Sequence, residues 1–540
     1  MQSSRQLFTG GPVFTSDPDN AWAQAVLVEG GRISFVGSAA EAAHAGGPEA
    51  VIIDTSGGVV MPGFVDAHAH VTMTGDGLSK AQLRTCSDLH EIRSVLTKWA
   101  AANPVAKRVL GMGWQYSALP AGLPHRRFLD DLFPDRPAYL EANDLHATWV
   151  NSAALAELKI DDSTPDPIGG RIVRDDSGAA TGHLLENASA MLVWPLLADV
   201  DQATRDGHVR SAVRAYNEVG VTTAVDMALD RQMLASMQRV ADSRDLTVRI
   251  IGHVLVHRSG DSADEVQQVA AAAQLAQRYN SASLRVTGIK IIVDGTIDGC
   301  TAAMINPYAN GTNDSGIWDL VSLVPVVTAA DAAGLQVALH AIGDQAVRTA
   351  IDALEAAITT NDSSGRRHRI EHLEYVDEAD VPRLARLGIT ASMQPVHVDP
   401  AILSNWVAML GDGRADRGFA WQEFLAAGTT LAFGTDTPTA PHLPLHNMYI
   451  ASTRRSPGDP SLEPHRPDFV VPLPEAVVHA TRDAAWASFA EDQVGMLKAG
   501  LAADLIVLDA DPFELGEQSL LDAQVVRTVI GGRTVHQRNA

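Results

Sequence analysis

The sequence contains few cysteines, few basic residues relative to acidic ones, and no long apolar run. Cys86 and Cys300 are the only thiols among 540 residues. Two cysteines cannot build a disulfide framework, so we expect a reducing compartment. No stretch of about 18 apolar residues occurs, and the N-terminus lacks an apolar segment with a basic flank. We therefore expect a soluble, cytoplasmic protein.

The shortage of basic residues limits the kinds of molecule that the protein is expected to bind. Lys and Arg number 41 against 65 Asp and Glu, which gives a net charge of −24. Such a charge argues against nucleic acid or an anionic membrane as a partner. We expect a small-molecule substrate instead, and a homo-oligomer is compatible with the sequence.

The middle of the chain alternates short apolar runs with helical patterns, which is typical of a parallel α/β fold. Eight runs are candidate strands, enough to close a barrel. They are Gly63–His68, Thr222–Asp226, Arg249–His253, Gly288–Val293, Gln336–His340, Arg369–His372, Thr390–Met393 and Thr430–Gly434. We therefore predict an α/β protein built on an eight-stranded parallel (β/α) barrel, over residues 62–489.

Both ends of the chain carry hairpin signals of a different kind. Ala25–Val28 and Arg32–Val36 alternate around a Glu-Gly-Gly turn, and Val525–Ile530 and Arg533–His536 flank Gly531-Gly532. Ala503–Asp509 reads as a further short strand. The termini are therefore predicted to build one composite β-sandwich domain together, from residues 1–61 and 490–540.

A long interval, residues 71–205, separates the first two candidate strands. It contains turn-rich pieces such as Leu119–Pro124 and Thr164–Gly170. Because long structureless loops are uncommon, we predict that this interval folds as a lid-like insertion.

The first candidate strand ends in PGFVDAHAH, which places His68 and His70 one residue apart. Residues two apart in a strand point to the same face, about 6.6 Å apart. Two imidazoles at that spacing can bind one metal ion at about 2.0–2.1 Å. The alternative is a pair of hydrated histidines at a strand end, so the motif needs support from other residues.

Four further polar residues lie at or near the ends of later strands: Lys290, His340, His372 and Asp436. Each has a structural explanation by itself: buried hydrogen-bonded histidines, a lysine reaching solvent from an edge strand, and an aspartate capping a turn. A barrel, however, brings the carboxyl ends of its strands to one mouth. Side chains of this kind at the same end of so many strands indicate one site.

Several motifs resemble the amidohydrolase superfamily, and within it the branch that contains N-substituted formamide deformylases. The resemblance covers nearly the whole chain. The motifs are PGFVDAHAH, KIIVDGT at Lys290, HAIGD at His340, RIEH at His372, ASMQP at 391–395, GTDTP at Asp436, LEANDLHATWVNSAAL at 140–155, GGRIVRDDSGAATGHLLENA at 169–188 and, near the C-terminus, ADLIVLDADPFE.

The resemblance implies a two-metal site. His68 and His70 would hold one ion together with Asp436, and His340 and His372 would hold the other. A carboxylated Lys290 would bridge the two ions. Imidazole and carboxylate ligands suit zinc best, and iron and manganese are compatible with them. Asp436 would also act as the catalytic base that passes a proton to the leaving nitrogen.

Other residues are candidate substrate contacts. His146 matches a histidine that relatives place near the substrate, with a surface histidine as the alternative. His397 follows the seventh strand and reads either as a site residue or as part of a loop. Trp114 and Trp149 could line a pocket under the insertion or form its own core.

One motif departs from the pattern of the relatives. Many relatives continue the fourth strand as DGSLGSRTA, but residues 294–302 here read DGTIDGCTA. Cys300 therefore stands where those relatives have arginine, and the pocket is predicted to be less positive.

These observations favour a metal-dependent hydrolase of an amide-type C–N bond, with N-substituted formamides, N-acyl compounds and cyclic amides as candidate substrates. A ring deaminase of the same superfamily is the alternative enzyme, but those enzymes carry a glutamate three residues after the fifth-strand histidine, where this chain has Gly343. A non-catalytic barrel is the third hypothesis. It is disfavoured because every ligand type is present.

Overall fold

A parallel barrel occupies the centre of the computed structural model, which describes residues 5–411 and 413–538. Each strand pairs in parallel with the next along the chain. The strands are Phe64–Ala69, Val221–Leu229, Arg249–Leu255, Leu284–Ile292, Gln336–Ala341, Arg369–His372, Thr390–Met393 and Leu431–Phe433. The first and eighth strands join just beyond their ends, where the Asp436 amide donates to the His68 carbonyl at 2.7 Å and the His70 amide donates to the Thr437 carbonyl at 2.9 Å.

The predicted barrel is confirmed, and each of the eight candidate runs overlaps one of its strands. Most of these strand residues are buried, as expected for a sheet covered by helices outside and filled by side chains inside. Five strands extend beyond the predicted bounds: the first continues to Ala69, the second to Leu229, the third to Leu255 and the fifth to Ala341, and the fourth begins at Leu284.

Helices follow the strands and cover the outside of the barrel. The longer ones are Gln202–Glu218, Arg231–Asp242, Ser262–Arg278, Leu320–Ala332, Asp344–Asn361 and Pro444–Thr453. The shorter ones are Val71–Gly77, Val381–Leu387, Leu403–Leu410, Trp421–Ala426, Leu473–His479 and Arg482–Ala487. Aspartates cap several first turns; the Asp230 carboxylate, for example, accepts from the Met233 amide at 2.7 Å. No helix among the described residues is long and apolar enough to cross a membrane.

The two termini form one eight-stranded sheet. Its strands are Gln6–Phe14, Trp22–Glu29, Arg32–Gly37, Val51–Asp54, Val59–Pro62, Leu505–Leu508, Val525–Ile530 and Arg533–Gln537, with short helices at Ala39–Gly46 and Pro512–Leu515. Val59–Pro62 pairs antiparallel with Leu505–Leu508, which joins the N-terminal strands to the C-terminal ones. The strands of this sheet contribute to an apolar core that includes Phe8, Ile33 and Val529. A buried ion pair ties this sheet to the barrel, with Arg249 Nε 2.6 Å from Asp504 Oδ2.

The interval after the first strand folds as a separate six-stranded sheet. In spatial order its strands are Gly170–Arg174, Ala180–Glu186, Ala147–Val150, Ala138–Ala142, Val109–Trp114 and Ala81–Gln82. Helices Leu89–Ala102, Arg127–Asp130, Ser152–Leu158, Asn187–Leu192 and Trp194–Ala198 accompany them. Trp149 is fully buried in the core of this sheet. The buried Lys80, paired with Asp76 at 2.7 Å and with Glu141, connects the sheet to the helix after the first barrel strand.

Candidate metal centre

The six side chains predicted to bind metal converge at the carboxyl end of the barrel. His68, Lys290 and His340 lie within strands, and His372 is the last residue of the sixth strand. His70 and Asp436 lie just beyond the first and eighth strands. All six line one cavity with an empty volume of about 630 Å³. The parallel strands therefore bring together residues that are up to 368 positions apart in the sequence.

The two histidines of the first strand point at one carboxylate. His68 Nε2 lies 3.2 Å and His70 Nε2 lies 3.0 Å from Asp436 Oδ1. Asp436 adopts a φ of +57°, an uncommon conformation for a residue other than glycine. Donor atoms of these three residues lie within 4.8 Å of one another. Two imidazoles and a carboxylate in this arrangement form a donor set that suits a divalent transition metal.

A second group of imidazoles lies beside the first. The rings of His340 and His372 have their centroids 4.4 Å apart, and those of His68 and His372 are 4.9 Å apart. Gln394 Oε1 is 2.8 Å from His372 Nδ1, which leaves Nε2 of that ring for a ligand. The Gly295 carbonyl is 3.2 Å from His340 Nε2, which leaves Nδ1. Each ring therefore has one nitrogen engaged by the protein and one available to a metal.

Lys290 lies in this cavity with its amine buried and without a hydrogen-bond partner among the described residues. Its side chain is 3% exposed. Burial lowers the pKa of Lys290 to about 8, although the Glu371 and Asp436 carboxylates oppose that shift. An isolated buried ammonium is costly, so the amine needs a partner or the loss of its charge. An orphaned buried amine surrounded by histidines and a carboxylate fits a metal centre in which this amine is carboxylated.

Buried groups to which the sequence motifs assigned no role hold the histidines in place. Glu371 Oε2 lies 2.7 Å from His68 Nδ1, and Arg369 Nε donates to Glu371 Oε1 at 2.6 Å. All three side chains are at most 1% exposed. A carboxylate at Nδ1 fixes the tautomer that leaves Nε2 free to ligate, as is usual behind metal-binding histidines. The motif RIEH contains both residues, but strict strand alternation would point Glu371 and His372 to opposite faces. The φ of +76° at His372 breaks that alternation, so both side chains reach His68.

We expect Glu371→Gln to weaken metal binding by about 10–100-fold, the usual cost of removing an outer-shell partner of a ligating histidine. Glutamine keeps the shape of the side chain but removes the charge that orients the His68 ring. Competition against a chelator of known affinity measures this effect, on protein whose circular dichroism matches the wild type. Glu491→Gln, which removes a partly exposed carboxylate paired with Arg367, is the control. Wild-type metal affinity in Glu371→Gln would show that Glu371 does not support the site.

A wider outer cavity of about 780 Å³ adjoins the histidine cluster, and His340, His372 and Asp436 line both cavities. Of the predicted substrate contacts, Trp114, His146 and His397 line it. Their positions are compatible with a role in substrate binding.

His146 and His397 are both paired with carboxylates. His146 Nδ1 lies 2.6 Å from Glu186 Oε2. Burial disfavours the charged form of His146, but the carboxylates around it, chiefly Glu186, prevail and raise its pKa to about 9. His397 Nδ1 is 3.4 Å from Glu374 Oε1, and its Nε2 is 3.5 Å from Asp436 Oδ2. His397 therefore lies between Asp436, a predicted metal ligand, and Glu374 in the lining of the outer cavity, and His146 lines both cavities.

Cys300 and Trp149 are not among the residues that line either cavity. The Cys300 thiol packs 3.2 Å from Met409 Sδ and 3.6 Å from Asn310 Nδ2. The thiol points away from the cavity because residue 300 lies in a tight turn with a φ of +53°. Asp298, two residues earlier, faces the cavity. The lining also includes Tyr116, Glu374 and Trp406, which no motif singled out.

Comparisons with known proteins agree with this geometry. The sequence model of a family described as "Amidohydrolase family" matches residues 51–536. The chain is 30% identical to YtcJ of Bacillus subtilis, described as an amidohydrolase, over 99% of this chain and 100% of that protein. It is also 30% identical to the N-substituted formamide deformylase of Arthrobacter pascens, over 97% of each chain. A solved structure of an uncharacterized metal-dependent hydrolase from Pyrococcus furiosus superposes with a TM-score of 0.71 at 25% identity, covering 94% of this chain and 99% of that one.

Proposed function

The chain belongs to the amidohydrolase family, and we propose that it is a metal-dependent hydrolase that cleaves an amide-type C–N bond, with N-substituted formamides as the leading substrate class. The observation that carries the proposal is the single cavity lined by His68, His70, Lys290, His340, His372 and Asp436. The likeness to a deformylase along the full length of the chain supports the substrate class. The fold alone would not support a substrate class, because proteins with this barrel fold catalyse many different reactions.

In this proposal His68, His70 and Asp436 would hold one divalent ion, His340 and His372 would hold the second, and a carboxylated Lys290 would be shared between them. Zinc suits the donors best, and iron and manganese are compatible. Bound ions would supply an activated water and polarise the amide carbonyl. Carboxylation suits Lys290 because its neutral amine can add carbon dioxide and release a proton to solvent, which replaces a buried amine that lacks a partner by an anion with two oxygens.

The chain's own residues supply the proton transfer. Asp436 Oδ1 faces the first-strand histidines, whereas Oδ2 faces His397 at 3.5 Å, on the side of the outer cavity. Oδ2 is therefore placed to take a proton from the attacking water and to deliver it to the leaving nitrogen. The side chain of Asp436 is only 7% exposed, so the transfer takes place away from bulk solvent. The leaving amine would occupy the outer cavity beside Trp114 and His146.

A turnover panel tests this function. We expect an N-substituted formamide such as N-benzylformamide to release formate and amine in equal amounts. We expect the activity to disappear on chelation and to return when zinc is added, because imidazole and carboxylate are donors that bind zinc. N-acyl amino acids, cyclic amides and aminated rings complete the panel. Release of ammonia from rings, with no cleavage of any amide, would contradict the proposal and favour a deaminase.

A further inference from the structure

The wall of the outer cavity is acidic and aromatic. Beyond Asp436, the carboxylates of Asp144, Asp298 and Glu374 line it, whereas neither lysine nor arginine belongs to the described lining. A guanidinium behind the wall, Arg84, is engaged by Asn143 and by the carbonyls of Thr439 at 2.5 Å and Pro438 at 2.7 Å. Positive charge in the lining comes from His146 and His397. Each already faces carboxylates, with Glu186 2.6 Å from His146 and with Glu374 and Asp436 3.4 and 3.5 Å from His397.

Asp298 is the carboxylate with the weakest support from the protein. Its Oδ1 accepts from Asn405 Nδ2 at 2.9 Å, and the same amide donates to the Asp298 carbonyl at 3.0 Å. The other carboxylates have more partners. Glu374 Oε2 accepts from the Trp406 indole at 2.9 Å and its Oε1 lies 3.4 Å from His397 Nδ1. Asp144 accepts from the Thr296 hydroxyl and from the His146 amide, both at 3.0 Å. Burial raises the pKa of Asp298 to about 7, against the Asn405 hydrogen bond. A half-buried carboxylate without a cation is expensive, and a ligand that brings a positive charge offsets that cost.

The same cavity offers aromatic faces. Trp114, Tyr116 and Trp406 all line it, and two of these rings pack together, with the centroids of Trp114 and Tyr116 4.9 Å apart. Aromatic faces attract cations, more strongly when the cation is desolvated. The outer cavity shares His340, His372 and Asp436 with the cavity of the histidine cluster. It thus combines aromatic rings with a carboxylate that no lysine or arginine of the described lining neutralises, and both features suit the same ligand chemistry.

We propose that the substrate carries a cationic group, an alkylammonium or guanidinium, which binds in the outer cavity against Asp298 and the rings of Tyr116 and Trp406. This inference rests on the proposed function, because it defines the substituent of the amide that is cleaved. A neutral substituent would cover the Asp298 carboxylate and leave it without a partner, which costs affinity. Asp298 is then the residue that determines specificity, and it binds the part of the substrate that does not react.

A matched pair of amides isolates the charge. N-(4-aminobutyl)formamide and N-pentylformamide have substituents of nearly the same shape and differ in an ammonium against a methyl group. We expect wild-type protein to favour the charged amide by at least about 10-fold in kcat/KM. Asp298→Asn keeps the bond to Asn405 but loses the charge, and we expect it to reduce that ratio by about 10–100-fold, the range for a hydrogen bond to a charged group. The exposed Asp176→Asn should preserve the wild-type ratio.

Calorimetry gives a readout that does not depend on turnover. We expect pentylamine, which is a cation at neutral pH, to bind wild-type protein at least about 10-fold more tightly than the neutral pentan-1-ol does, and Asp298→Asn to abolish that preference. If both amides are cleaved at similar kcat/KM and the amine and the alcohol bind alike, the cationic subsite is overturned while the hydrolase function stands. If neither amide is cleaved but the amine preference depends on Asp298, the subsite stands and the proposed reaction fails.

Discussion

Lys290→Ala is expected to lose one of two metal ions and to reduce turnover by more than about 100-fold, because even outer-shell changes cost about 10–100-fold. The variant should still fold, since the barrel core lies elsewhere and the lost amine makes no hydrogen bond within the described residues. Metal analysis, turnover and thermal unfolding measure the three effects. Lys107→Ala, on the exposed surface, is the control and should match the wild type.

Chemical rescue separates loss of the bridge from general damage. Formate or acetate in excess can occupy the space vacated in Lys290→Ala and offer two oxygens in place of the carbamate. We therefore expect these acids to restore part of the activity of this variant and to leave the activity of Lys107→Ala unchanged. A Lys290→Ala protein with the metal content and the full activity of the wild type would contradict the bridged site. If wild type and variant each held one ion, the enzyme would be a mononuclear hydrolase built on the four histidines and Asp436.

Asp436→Asn is expected to lower kcat by about 10²–10⁴-fold, the range for loss of a general acid–base group. Asparagine keeps a neutral oxygen beside His68 and His70, where Asp436 Oδ1 lies 3.2 and 3.0 Å from their Nε2 atoms. Metal content should therefore survive largely intact while proton transfer fails. Steady-state kinetics with parallel metal analysis measure the two effects, and the surface variant Asp522→Asn serves as the control. Turnover within a few-fold of wild type would show that another group carries the proton.

The barrel and the positions of its strand-end residues could be predicted because both depend on local pattern. Short apolar runs such as Gln336–Ala341 are buried along their whole length, so composition alone marks them as strands. Once the strands are parallel, His340 and His372 must share a mouth with His68, whatever the details of packing.

The rest depends on contacts that local pattern does not specify. Glu371 directly precedes the predicted ligand His372, but its hydrogen bond to His68 joins residues 303 positions apart in the sequence. Which of Asp298 and Cys300 faces the cavity is decided by a turn whose φ at residue 300 is positive. The insertion mixes parallel and antiparallel pairs, because Val109–Trp114 runs parallel to Ala138–Ala142 while Ala147–Val150 runs antiparallel to it. Such an order depends on tertiary packing rather than on the strands themselves.

The most direct test of the central claim is an anomalous-diffraction map of crystals of the full chain, grown with zinc and recorded on both sides of the zinc absorption edge. We predict two peaks inside the cavity lined by His68, His70, Lys290, His340, His372 and Asp436, with planar density extending from Lys290 Nζ between them. Crystals of protein that cleaves an amide, with no anomalous peak in that cavity and plain lysine density at residue 290, would contradict it.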